Sequence, residues 1–107
     1  MPRYLFIASY GSEGAKGVLS KGGTARRSAI EKTVSEMGGR LEAFDFAFGG
    51  DDVYATADLP DHAAAAALAL TVNADGRTRV KTVVLLTPEE VDAAAQRTVS
   101  YTAPGTT

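Results

Sequence analysis

The chain has 107 residues, 45% hydrophobic and 22% charged, with a net charge of −2. That mixture excludes wholesale disorder and suits one globular domain, whose core is modest because so short a chain buries only about 60–70% of its unfolded surface. The charge balance excludes the basic field of a nucleic-acid or anionic-membrane binder, and the absence of cysteine excludes disulfides, thiolate nucleophiles and cysteine-ligated metals.

Tyr4 to Tyr10 is rich in aromatic and aliphatic residues and stops at Gly11, which predicts a first strand. The apolar run here is too short for a signal peptide, and no segment approaches the ~20 apolar residues of a membrane helix, so a cytoplasmic protein is expected. Gly11 to Gly23 carries five glycines among serines and lysines and reads as a mobile loop, with Val18 and Leu19 as its anchor on the core. Thr24 can cap a helix reaching Met37, with Ile30, Thr33, Val34 and Met37 on one face. Gly38-Gly39 ends it. Leu41 to Phe48 and Val53 to Asp58 are strands joined by Gly49-Gly50-Asp51-Asp52, a hairpin.

Pro60-Asp61 opens a second helix. Ala63 to Leu70 is apolar all round, which predicts close packing on the sheet. Asn73 to Gly76 reads as a turn and Arg77 to Leu86 as a long strand. Thr87-Pro88-Glu89-Glu90 combines a threonine cap, a proline in the first turn and a glutamate three residues after the cap, a strong helix start. That helix is expected to reach about Thr98. The domain is expected to span residues 1–98 and a loose tail residues 99–107.

The element order is βαββαβ plus a terminal helix. Right-handed crossovers in two βαβ units linked by the hairpin predict an α+β, ferredoxin-like fold with a four-stranded antiparallel sheet. Alternation places Phe44, Phe46 and Phe48 on one side of their strand and Leu41, Ala43, Asp45 and Ala47 on the other. Both faces of the sheet then carry apolar residues while two helices cover one of them. The uncovered face would be an aromatic patch, which predicts a homodimer or larger, or a tail folded across the sheet.

In this order the chain resembles the GYD domain family of small bacterial proteins, over residues 2 to about 92. The resemblance rests on Met-Pro-x-Tyr at Met1 to Tyr4, the Gly-rich stretch leading to Gly17-Val18, Arg26, Gly38-Gly39-Arg40-Leu41 and Phe44. It continues through Gly49-Gly50-Asp51-Asp52-Val53, Leu59-Pro60-Asp61, the alanine-rich helix, Arg77 to Val83 and Thr87-Pro88-Glu89-Glu90. Asp51 stands where the family usually has the tyrosine of its Gly-x-Tyr-Asp motif, while Gly49 and Asp52 fit. The resemblance implies a ferredoxin-like, dimeric protein of the α/β-barrel group. That group includes small enzymes of aromatic catabolism, but a fold does not carry an activity with it.

The polar residues set among apolar ones are the candidates for chemistry. Asp51 and Asp52 offer paired carboxylates, yet a Gly- and Asp-rich turn needs no function. Asp45 is an acid inside an aromatic strand, facing either a partner or a solvated groove. His62, the only histidine, is expected at an ordinary exposed position, and with no second histidine a zinc site is not expected. Arg77, Arg79 and Lys81 alternate along one strand face and read as a charged edge or an anion clamp. With Met1 in place, Pro2 is acylated and is not a free N-terminal base. No P-loop, dinucleotide or hydrolase-elbow motif is present, and no cofactor is expected.

Two functions follow. One is a small-molecule-binding domain or cofactor-independent enzyme with its site between sheet and partner copy. Tyr54, Asp45, Asp52, Arg26 and Tyr10 would surround a small aromatic or carboxylate-bearing ligand there. The other is an oligomeric structural or accessory module without catalysis.

Overall fold

Alternating apolar residues at the start of the chain do form the first strand. The computed structural model describes residues 1–105 and places β1 at Arg3–Tyr10. Then come α1 (Ser12–Lys21), α2 (Gly23–Glu36), β2 (Arg40–Phe46), β3 (Val53–Asp58), α3 (His62–Asp75), β4 (Thr78–Leu85) and α4 (Pro88–Ala95). The strands make one antiparallel sheet in the order β2-β3-β1-β4, so the expected α+β, ferredoxin-like arrangement and its central hairpin are present. No helix among the described residues is long and apolar enough to cross a membrane.

Several boundaries differ from expectation, each for a local reason. The expected glycine loop is a helix, α1, held at its start by Gly11 N–H donating to the Arg77 carbonyl at 2.9 Å. Gly14 lies against that carbonyl and the Tyr10 ring, a closeness that a Cβ would forbid, so glycine here serves packing rather than flexibility. Leu19 anchors nothing; it is 87% exposed. α2 begins without a side-chain cap, after Gly22 rather than at Thr24. Its core face is as read, with Val34 buried and Ile30 and Met37 packed beside it, but Thr33 is exposed. Gly38, at φ +81°, supplies the left-handed turn that closes the helix.

Asp61 is the N-cap of α3, accepting from Ala64 N–H at 2.8 Å, and Pro60 lies outside the helix. α3 continues through the expected turn to Asp75, because Asn73 is held by the sheet. Its side chain receives Val80 N–H at 2.8 Å and donates to the Val80 carbonyl at 3.3 Å. The asparagine amide thus stands in for a neighbouring strand on the free edge of β4. Only one stripe of α3 packs inward: Ala65 is buried, while Ala66, Ala67 and Leu70 are exposed. α4 carries the complete capping box expected at Thr87 and Glu90, but ends at Ala95. Residues 96–105 of the expected helix end and tail are irregular and exposed, and residues 106–107 lie outside the described residues.

The core forms where the sheet meets α2 and α3, around Tyr4, Phe6, Val34, Ala57, Leu59 and Ala65. Tyr4 is 1% exposed and its hydroxyl bonds with His62 Nδ1 at 2.5 Å, the ring edges meeting nearly at right angles. His62 is therefore more than a surface residue: it gives a buried phenol its partner. Burial raises the Tyr4 pKa above its ordinary value, helped by the charge of Asp61.

A bulge between Leu41 and Ala43 corrects the predicted alternation of β2. Leu41 joins Phe44 on the helix-covered face, and Phe48 leaves the strand, fully exposed. The expected uncovered aromatic patch is thus absent: Tyr4, Phe6, Phe44 and Phe46 all lie on the helix side. The open face instead carries Leu5, Ile7, Tyr54, Val83 and Leu85 among polar residues, as the registers dictate.

Candidate functional site

The ends of β1 and β4 nearest α1 are held by the turn before β3. Asp52 receives Tyr10 N–H at 2.8 Å and donates its own N–H to the Ala8 carbonyl, also at 2.8 Å. Asp51 receives the Ser9 hydroxyl at 2.9 Å and the Lys81 ammonium at 3.4 Å. Both carboxylates thus fix strand ends, the structural role that a Gly- and Asp-rich turn implies. Among the described residues no cluster of three histidine or carboxylate side chains exists to hold a metal.

What this clamping positions is Tyr10. Its ring stands at the junction of the sheet, α1 and α2, beside a small cavity of about 60 Å³. Phe6, Ile30, Phe44, Leu68, Val72 and Val80 form apolar walls, and Tyr10, Arg26 and Thr78 bring the polar side chains. An outer cleft of about 270 Å³ shares those three residues and extends beneath α1 past Gly14, Gly17 and Val18. Inner and outer spaces together reach the lower end of the ~300–1,000 Å³ usual for ligand pockets.

Charge in the cleft is not balanced. Glu13 pairs with Lys16 and Asp75 with Arg77, at 3.4 and 3.1 Å. Lys21 and Arg26 also line the cleft, and neither has an ion-pair or side-chain hydrogen-bond partner among the described residues. Arg26 is half-buried, on the first turns of α2, which project it toward Tyr10 and the cavity. With no partner among the described residues, its guanidinium keeps a fork of donors for water or a ligand.

The residues expected at one site therefore divide. Tyr10 and Arg26 share the cleft, and Asp52 supports Tyr10 from below. Asp45 and Tyr54 stand side by side, paired across β2 and β3, but on the opposite face of the sheet and exposed. They do not join Arg26 in one groove. Thr78 and the inner walls went unpredicted. Thr78 begins a strand whose helix-facing residues follow only from the register of β4 against β1.

The family model of the GYD domain matches residues 4–95. The chain belongs to the GYD domain family. The match ends at the last residue of α4, so the GYD domain takes in every helix and strand described here apart from the first residue of β1. In this GYD protein the turn before β3 clamps β1, Asp51 bonding Ser9 and Lys81 and Asp52 holding Tyr10. No curated protein and no solved structure matches the chain.

Proposed function

We infer that this GYD protein binds a small, largely apolar carboxylate in the cleft between the sheet and α2, with α1 as the movable cover. The observation that carries the reading is Arg26: a half-buried arginine without an ion-pair or side-chain hydrogen-bond partner among the described residues, at the mouth of an otherwise apolar cavity. The carboxylate lies against Arg26 in a two-pronged contact, with the Tyr10 hydroxyl beside it. The apolar body enters between Ile30, Phe44 and Leu68. Lys21 adds attraction from the rim. α1 suits a cover because it buries none of its residues and lacks a side-chain cap. Asp45 and Tyr54 take no part in this site. No chemical step is assigned; the arrangement supports recognition.

Titration with benzoate, followed by NMR or calorimetry, tests this. Benzoate binds saturably, and benzamide, which lacks the charge, binds much more weakly. Hydrogen bonds to charged groups contribute about 1.5–3 kcal/mol, so Arg26→Gln weakens benzoate binding about tenfold or more. The thermal midpoint of the free protein stays nearly unchanged, since Arg26 holds no other side chain among the described residues by a hydrogen bond or ion pair. Equal affinity in the variant, or no saturation by benzoate at millimolar concentration, overturns the reading.

A further inference from the structure

The two flanks of α1 differ in character. On the side away from the outer cleft, an open groove of about 550 Å³ runs between α1 and the turn after β2. Ala15, Val18, Phe46, Ala47 and Phe48 line it, and only Tyr10 and Asp52 bring polar side chains. Asp52 already receives the Tyr10 N–H. The outer cleft, by contrast, is lined by the charged side chains of Glu13, Lys21, Arg26, Asp75 and Arg77. Tyr10 and Val18 border both spaces, and Tyr10 borders the inner cavity as well.

Aromatic surface continues from the inner cavity to the rim of this groove. Phe44 lines the cavity, and its ring meets that of Phe46 edge to face at 5.4 Å. Phe46 is half-buried beneath the groove and Phe48 lies at the rim, fully exposed. Ala47 N–H donates to the Asp52 carbonyl at 2.8 Å, which closes the turn that presents Phe48 there. Gly49 and Gly50, next in the turn, have open space around them, so nothing on the chain itself crowds the rim.

We propose that the ligand is a medium- or long-chain alkyl carboxylate, its head on Arg26 and its tail passing Tyr10 into the groove against Phe46 and Phe48. This inference rests on the Arg26 reading and extends the ligand beyond a single ring. Charge on one flank of α1 and apolar surface on the other match a molecule with those two ends. The inner cavity, at about 60 Å³, falls far short of the ~300–1,000 Å³ of ordinary ligand pockets, whereas the groove lies within that range. Because the three spaces meet at Tyr10, a ligand reaching the groove turns round its ring. A flexible chain makes that turn and a rigid ring system does not. Burial of the tail takes apolar surface of both partners out of water.

Calorimetric titration with hexanoate, octanoate and decanoate, all below micelle formation, tests it. Affinity rises along the series by about two- to fourfold for each added methylene. Decanol, which keeps the tail and lacks the charge, binds about tenfold more weakly than decanoate or worse. In Phe48→Ser the gain from hexanoate to decanoate shrinks about fivefold or more. The thermal midpoint of that variant stays nearly unchanged, because the ring is fully exposed. Hexanoate binding as tightly as decanoate, or a chain-length gain insensitive to Phe48→Ser, overturns the proposal and leaves the benzoate test of Arg26 untouched. Decanoate held equally well by the Arg26→Gln protein overturns both.

Discussion

Arg3 and Asp58 show how single residues join the strands at the end of the sheet away from the cleft. They face each other across β1 and β3, with Arg3 Nε 2.8 Å and Nη2 3.3 Å from the two Asp58 oxygens. The hydrogen bond from Arg3 holds the Asp58 carboxyl below its ordinary pKa of 3.8, assisted by Glu42 and the charge of Arg40 and opposed by desolvation. A folded-state pKa below the unfolded one gives stability that is present above the unfolded value and lost as pH falls through the folded value. In urea unfolding, Asp58→Asn is therefore less stable than the unmodified protein at neutral pH, and the gap closes below pH 3.8. A gap independent of pH would show that Asp58 acts through packing alone. Residue types were legible in the sequence at this scale, but their partners were not. Arg26 is legible as an arginine early in the first helix, beside the Gly-rich stretch. The bond between Tyr4 and His62 spans 58 positions and leaves no local signal.

Elements with a side-chain cap are legible in the sequence, whereas the helix hidden in the glycine-rich stretch before α2 is not. The capping box at Thr87 and Glu90 is complete because both of its hydrogen bonds are local. α1 was missed because its glycines resemble a loop, whereas Gly14 answers to the Arg77 carbonyl, far away in sequence. The β2 bulge was missed for a related reason: one extra residue moves Leu41 to the other face, and only the partner strand shows the shift. Asn73 is the clearest case of an element extended by a tertiary bond. Asn73→Ala removes two exposed hydrogen bonds on the β4 edge and costs about 1 kcal/mol. The Val80 amide then exchanges with deuterium faster, while amides of β1 and β3 keep their protection relative to one another. Unchanged exchange at Val80 would mean that the asparagine does not guard the edge.

Over the whole molecule, the two faces of the sheet do different work. The helix-covered face holds the core and the cleft; on the open face Tyr54 and Val83 are exposed, and so are residues 96–105. The radius of gyration is 17.1 Å and the longest extent 58 Å, against the ~13 Å radius of a compact chain this long. The aromatic residues from which self-association was expected lie under the helices. The expected site splits in the same way, its acid and phenol on one face and its arginine on the other. Which face receives a ligand is the central question, and a crystal structure of the protein soaked with benzoate answers it most directly. The carboxylate is expected on the Arg26 guanidinium and the ring between Ile30, Phe44 and Leu68, with α1 displaced to admit it. A benzoate ring seated on the open face beside Asp45 and Tyr54, with the Arg26 cleft unliganded, would contradict it.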